Sequence, residues 1–398
     1  MEATIIDRDA KEGFVEPSLF EFHNPECRVT FDVFNPDPQS QPRISLKVCS
    51  LPNTDIRFSF RPKEGLVRVL GEETTQQKNT LGRLIAIEDL DLASLEAFFD
   101  ENGFLYPCSE DSYTEFSLDE IAYRIRRMKA TVNLMSAIGE GNSFDKILSN
   151  AAFLSFGKET IGGNLSGIPA LRTLLEKADS LTEVNAQRVK TKGDKLEVYD
   201  SLFRDYFSVT VKDYNSMREG EGFEGFEGSS AELFRKLFFL YFNGISLSKP
   251  ERQIIEFFFR YQFENGAFRP IQSTDIDLYA RKKQNVDVDR FREALISVAR
   301  HVLTFEINNN IKDVRPVYSV EKLAPDWKVS SLLQAMYFSL FYMKPGLQIY
   351  RKCGNPTCKR NRYFLVNTSA LKKKFCCDEC RNAANQRILR DRRNKENA

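Results

Sequence analysis

The sequence predicts an α+β protein: a small antiparallel β-sheet at the N-terminal end, a mainly helical middle, and a C-terminal four-cysteine zinc finger that leads into a basic helix. Three observations carry this reading. Apolar residues alternate with polar ones between Val29 and Phe60, they recur at helical spacing from Leu92 onward, and five of the eight cysteines gather between Cys353 and Cys380. The regions this implies are 1–115 for the β-rich part, 116–345 for the helical body and 346–398 for the finger with its helix.

Residues 1–26 contain Pro17 and Pro25 and no sustained period, and read as an irregular lead-in. Period two then appears in Val29, Phe31 and Val33, in Ile44, Leu46 and Val48, and in Ile56, Phe58 and Phe60. Pro36, Pro38, Pro42, Pro52 and Pro62 fall between these runs or at their ends, where a missing N–H does least harm. With Leu66 to Leu70 this makes about four strands of a sheet with one buried face. Cys27, Cys49 and Cys108 are scattered singly and read as ordinary small residues.

Gly71 to Thr80 is polar and turn-like, and Leu92 to Glu101 reads as a helix stopped by Gly103. Ser117 and Glu120 have capping-box spacing ahead of a stripe formed by Leu118, Ile121, Ile125, Met128, Val132 and Met135. Further helices are predicted from Ser143, over Leu171 to Ala178, Ala231 to Phe242, Glu251 to Phe263, and Arg290 to Val302. The aromatic richness of Leu233 to Phe263 reads mainly as core. Residues 219–230 are rich in Gly and Glu and read as a flexible linker. They contain Gly220-x-Gly222-x-x-Gly225, a literal dinucleotide fingerprint. It follows no strand, and Glu221 and Glu224 would repel a pyrophosphate where bare N–H groups are needed, so it is set aside.

No residue pattern marks an enzyme. His23 and His301 have no metal-spaced partner, and there is no Walker loop, nucleophile elbow or HExxH. Asp275 with Asp277, or Asp287 with Asp289, could serve a metal-dependent nuclease, but Asp beside a helix start is usually a cap. No run of about 18 apolar residues occurs, so no membrane span is expected. A chain without a signal peptide is expected in the cytoplasm, where disulfides do not persist.

That compartment bears on the cysteines. Cys353 and Cys358 form C-x4-C, seventeen residues follow, and Cys376, Cys377 and Cys380 supply a second group. Zinc takes four soft ligands in a tetrahedron, and two tight turns that each present a pair of thiolates meet that demand. Spacing alone leaves open whether Cys376 or Cys377 is the third ligand. Ahead of the first pair runs a short strand, Leu347 to Tyr350; Tyr363, Phe364, Leu365 and Lys372-Lys373-Lys374-Phe375 stand between the pairs, and Arg381 to Arg387 is helix material. The order read from this is knuckle, short hairpin, knuckle, helix, a treble-clef-like plan in which Phe364 and Phe375 pack a small core.

Over residues 350–398 the pattern C-x4-C, Tyr-Phe, Lys-Phe-Cys-x-x-x-Cys-Arg-Asn and an Arg-rich helix resembles the CGNR-like zinc fingers of bacterial transcription regulators. The family is named for Cys-Gly-Asn-Arg, where this chain has Cys380-Arg381-Asn382-Ala383. The resemblance implies Cys376 as third ligand, hence one zinc per chain on Cys353, Cys358, Cys376 and Cys380. It also implies DNA binding and transcription regulation.

The charge supports a polyanionic partner. From Arg351 to Ala398 there are 14 Lys and Arg against 4 Asp and Glu, a balance of +10, while the remainder holds 43 against 52, a balance of −9. Such a patch ordinarily meets phosphate; a solvated tail, or an arm docked on the acidic body, is the bland alternative. The expected contacts are Lys372, Lys373, Lys374, Arg381, Arg387, Arg390 and Arg393. Beyond Leu389 the helix is polar all round, so burial cannot hold it to the body. The leading expectation is a nucleic-acid-binding protein, with DNA as the nucleic acid. Its rivals are a protein-interaction module that docks an acidic protein partner, in a toxin or phage-defence setting, and the nuclease above.

Overall fold

The computed structural model describes residues 18–35, 43–62, 64–69, 79–87, 91–140, 143–157, 169–178, 189–198, 202–203, 207–219, 228–243, 247–266, 288–320, 323–343, 347–358, 362–370 and 372–396. The glycine fingerprint at Gly220, Gly222 and Gly225, most of the 219–230 linker, and Asp275, Asp277 and Asp287 lie outside these residues.

Two antiparallel sheets form the N-terminal part. β1 (Phe20–Asn24), β4 (Ile56–Arg61) and β5 (Gly65–Arg68) make one, with Phe22 opposite Phe58 and Phe20 opposite Phe60. β2 (Cys27–Phe34), β3 (Arg43–Ser50) and β6 (Thr114–Ser117) make the other, with Val29 opposite Val48 and Phe31 opposite Leu46. The alternation read from Val29 to Phe60 therefore yields three of these strands directly. The lead-in expected over 1–26 is corrected at its end: Phe20–Asn24 is a strand, and its Phe20 ring stacks on Phe60 at 5.4 Å.

α1 (Thr80–Leu84) follows an Asn79 cap, and α2 (Leu92–Asn102) ends at Gly103. The glycine is required there. Its φ is 73°, and a Cβ would lie 2.4 Å from the Pro25 carbonyl oxygen. That close approach lets Asn24 donate to the carbonyls of Asn102 and Phe104 at 2.9 and 3.1 Å, tying β1 to the end of α2.

The body is built from α3 (Leu118–Glu140), α4 (Phe144–Phe156), α5 (Pro169–Ala178), α6 (Val211–Glu219), α7 (Gly228–Asn243), α8 (Lys249–Asn265), α9 (Val288–Ile311) and α10 (Leu332–Phe341). Ile121, Ile125, Met128, Val132 and Met135 of α3 are buried, as their spacing predicts. The aromatic run is core: Phe257, Phe258 and Phe259 are all fully buried, and Phe234, Phe238 and Phe242 pack beside them. Two features had no signal in the helical reading, the sheet of β7 (Val189–Lys192), β8 (Lys195–Val198) and β9 (Phe207–Thr210), and the hairpin of β10 (Arg315–Ser319) and β11 (Ala324–Lys328). One continuous apolar core runs from Phe20 to Tyr350 and joins the N-terminal sheets to the helices. No helix among the described residues is long and apolar enough to cross a membrane.

A buried ion pair fastens the helical layers. Arg127 of α3 donates to both carboxylate oxygens of Glu306 on α9, to the Tyr123 hydroxyl at 3.1 Å and to the Leu154 carbonyl at 3.0 Å; Tyr337 of α10 donates to Glu306 at 2.7 Å. Burial disfavours the guanidinium charge, but the Glu306 carboxylate outweighs it and holds Arg127 protonated. Glu306→Ala strands that cation without its partner, and urea unfolding is expected to show a loss of roughly 3–5 kcal/mol. The Arg127→Met/Glu306→Leu double variant should recover much of it, because the charge is removed with its partner. A double variant as unstable as the single one would contradict this account.

Candidate metal centre

β12 (Gln348–Lys352) and β13 (Tyr363–Asn367) form an antiparallel hairpin with Ile349 opposite Val366 and Tyr350 opposite Leu365. Its loop is the first knuckle. The hairpin expected between the two knuckles is thereby corrected: the strand before Cys353 pairs with the strand after it, so the first cysteine pair is held at the hairpin tip. Strand periodicity gives the hairpin two working faces. Ile349, Phe364 and Val366 join Cys353, Cys358 and Cys380 in a small separate core, while Tyr350, Tyr363 and Leu365 face the main core.

Local hydrogen bonds shape each knuckle. Asn355, itself buried, accepts from the Thr357 N–H at 3.3 Å and its hydroxyl at 3.1 Å, and its carbonyl accepts from the Cys358 N–H at 3.0 Å. This Asx-type turn reverses the chain between the first two cysteines. The Gly354 N–H donates to the Lys374 carbonyl at 2.8 Å, and a Cβ on Gly354 would press to 3.1 Å from that oxygen. The glycine thus allows the two knuckles to touch. After η1 (Thr368–Ala370), the second knuckle runs into α11 (Asp378–Glu396), whose first turns present Cys380 and bury Ala384.

The result is a four-sulfur cluster. The Sγ atoms of Cys353, Cys358, Cys376 and Cys380 all lie within 4.8 Å of one another, and three separations are 3.5–3.6 Å. In a tetrahedral zinc–thiolate site with Zn–S bonds of about 2.3 Å, neighbouring sulfurs stand about 3.8 Å apart. The donor set and its spacing therefore fit a metal ion of that type. Cys377 is outside the set although its Sγ is 3.7 Å from that of Cys376. Burial pushes the Cys376 thiol up, and hydrogen bonds with Cys380, Cys358 and Cys377 add to that. Burial also acts against ionising Cys353, but hydrogen bonds from the Asn355 and Cys376 backbone and from the Cys376 and Cys358 thiols bring it below its ordinary value. Crowded thiols favour ionising one and protonating the rest; a divalent cation among them reverses that for all four.

The remaining cysteines behave differently. Burial pushes Cys27, in β2, up to about 12 and Cys108, in the segment between α2 and β6, up to about 11, as befits unreactive thiols. His23 pairs with Asp55 at the surface, and among the described residues neither histidine joins a metal-ligating group.

The expected nucleic-acid contacts all lie on the finger. Lys372, Lys373 and Lys374 are exposed just ahead of the second knuckle, with the Lys373 Nζ 5.8 Å above the Phe364 ring. Arg381, Arg390 and Arg393 are exposed on α11, Arg381 standing 3.2 Å from Asp378. Arg387 is half-buried and donates to the Thr357 hydroxyl at 2.8 Å, so it pins the helix to the first knuckle. The seating of the finger on the body has no signal in the sequence: the Tyr350 hydroxyl meets the Asn79 side chain at 3.2–3.3 Å, and Gln348 donates to the Pro62 carbonyl at 2.8 Å. No known protein family, curated protein or solved structure matches this chain. A C-terminal four-cysteine cluster able to hold a metal ion is the functional feature established on the chain itself.

Proposed function

We propose that this chain is a zinc-dependent nucleic-acid-binding protein, with one zinc on Cys353, Cys358, Cys376 and Cys380, that acts as a bacterial, cytoplasmic DNA-binding transcription regulator of the CGNR-like kind. The observation that carries the reading is a basic helix fixed at its base by the four-cysteine cluster, with Arg381, Arg390 and Arg393 exposed on it. Its role is binding rather than catalysis. The metal would set the helix in place, the lysines ahead of the second knuckle and the arginines of α11 would neutralise phosphates, and the body would sense or assemble.

The test is titration of the full chain, purified with zinc, against labelled duplex DNA at several salt concentrations. Log affinity should fall linearly with log salt, with a slope of about −0.9 for each phosphate neutralised. Chelation of the metal should weaken binding strongly. A protein that binds an acidic polypeptide but no nucleic acid would replace this reading with the interaction-module one.

A further inference from the structure

α11 has two unlike sides. At 3.6 residues per turn, Cys380, Ala384 and Arg387 fall on one side, the side that meets the metal cluster and Thr357. Asn382, Asn385, Gln386, Leu389 and Arg393 fall on the other, and all five are exposed. Asn382, Asn385 and Gln386 make no side-chain hydrogen bond among the described residues, so their amides are free to bind a partner. No acidic residue occurs between Glu379 and Asp391. A merely solvated helix face commonly carries mixed-sign charges at i, i+4 spacing. From Asn382 to Leu389 this one instead presents carboxamides with arginines at its margins and a leucine 55% exposed among them, an acid of the same face, Asp378, lying a turn ahead and paired with Arg381 at 3.2 Å.

That chemistry is specific. A carboxamide offers a donor and an acceptor side by side, which matches N7 and N6 of adenine in the major groove; an aliphatic side chain suits the thymine methyl, and arginine suits guanine O6 and N7. Arg381 and Arg390 flank the face where backbone phosphates would lie. A helix of about 10–12 Å diameter enters a groove about 12 Å wide. From Asn382 to Gln386 the rise is about 6 Å, close to two base-pair steps. The major groove of A-form RNA is too narrow and deep for such a helix.

We infer that the outward face of α11 reads sequence in the major groove of duplex DNA, with Asn382, Asn385 and Gln386 as specificity-determining residues for adjacent A·T pairs and Leu389 against a thymine methyl. This rests on the nucleic-acid-binding reading above and assigns its specificity to residues that carry no charge.

The experiment selects binding sites from a duplex pool with a randomised centre, using the full zinc-loaded chain and the Asn385→Ala/Gln386→Ala double variant. Both side chains are exposed, and a zinc content of one per chain in each protein confirms that the finger is folded. The wild type should enrich sites with adjacent A·T pairs. The double variant should lose at least about tenfold on the enriched site, while binding random duplex within about twofold of wild type with the same salt slope. Lys373→Ala should do the opposite, weakening all sequences alike. Three results would overturn the inference while leaving nucleic-acid binding intact: no enrichment by the wild type, an unchanged preference in the double variant, or preference for duplex RNA. Absence of binding to any nucleic acid would overturn both readings together.

Discussion

Cys358→Ser protein is expected to emerge from purification without metal, against about one zinc per chain in the wild type by elemental analysis. The Cys358 sulfur is within 3.6 Å of both Cys376 and Cys380, so its loss removes a shared corner of the cluster. Structural zinc supplies on the order of 10–16 kcal/mol to small fingers, far more than the core of Ile349, Phe364 and Val366 can replace. The finger should therefore lose its fixed structure while the helices of the body keep theirs. Hydrogen exchange would show this as a loss of protection after residue 350, with protection retained in α3, α8 and α9. Cys376→Ser should behave like Cys358→Ser, and Cys377→Ser should retain zinc, because Cys376 and not Cys377 completes the four-sulfur set. The reverse pair of results would move the ligand by one position, and a metal-free wild type with an ordered finger would end the zinc assignment.

Removing Ile388 to Ala398 should have the next largest effect. The cut lies beyond the Arg387 hydrogen bond to Thr357, so every cluster sulfur and the anchor of α11 remain. What goes is Arg390, Arg392, Arg393 and Lys395, with only Asp391 and Glu396 on the acidic side. Zinc content should be unchanged. Affinity for duplex DNA should fall, and the salt slope should shrink by about 0.9 for each phosphate that is no longer neutralised, or roughly 2.7 for three. A tail that docked on the acidic body would give the contrary result, since its removal would free basic surface and raise affinity. Equal affinity with an equal slope would sink the phosphate role of the helix end.

How much of this could be read from sequence depended on how strongly local chemistry constrains spacing. Zinc needs its ligands in close pairs, so Cys353, Cys358 and Cys380 stood out. The α3 stripe kept its period over many turns and was legible for that reason. β1 was not: Phe20, Phe22 and Asn24 alternate over only five residues between two prolines, too few to separate from chance. The strands of the β7–β9 sheet are four residues each and give the same difficulty. Arg127 and Glu306 lie 179 residues apart, and nothing in either helix's own pattern announces that they meet. The strand at Leu347 to Tyr350 was legible and so were Tyr363 to Leu365, but the hairpin was placed between the knuckles instead of around the first, because strand pairing is a tertiary fact that periodicity does not encode.

The hairpin of β12 and β13 also has a mechanical meaning. One of its faces is built into the main core through Tyr350 and the other into the small cysteine-lined core through Ile349. α11 is thus a lever mounted on the wall of the body. Nineteen residues give it a length of about 28 Å. A tilt of about 10° at its base sweeps the far end through about 5 Å, more than one base-pair step along a duplex. Repacking around Tyr350 by a fraction of a side chain's width is then enough to displace Arg393 by several ångströms, which under the proposed nucleic-acid-binding role would carry it out of step with a phosphate.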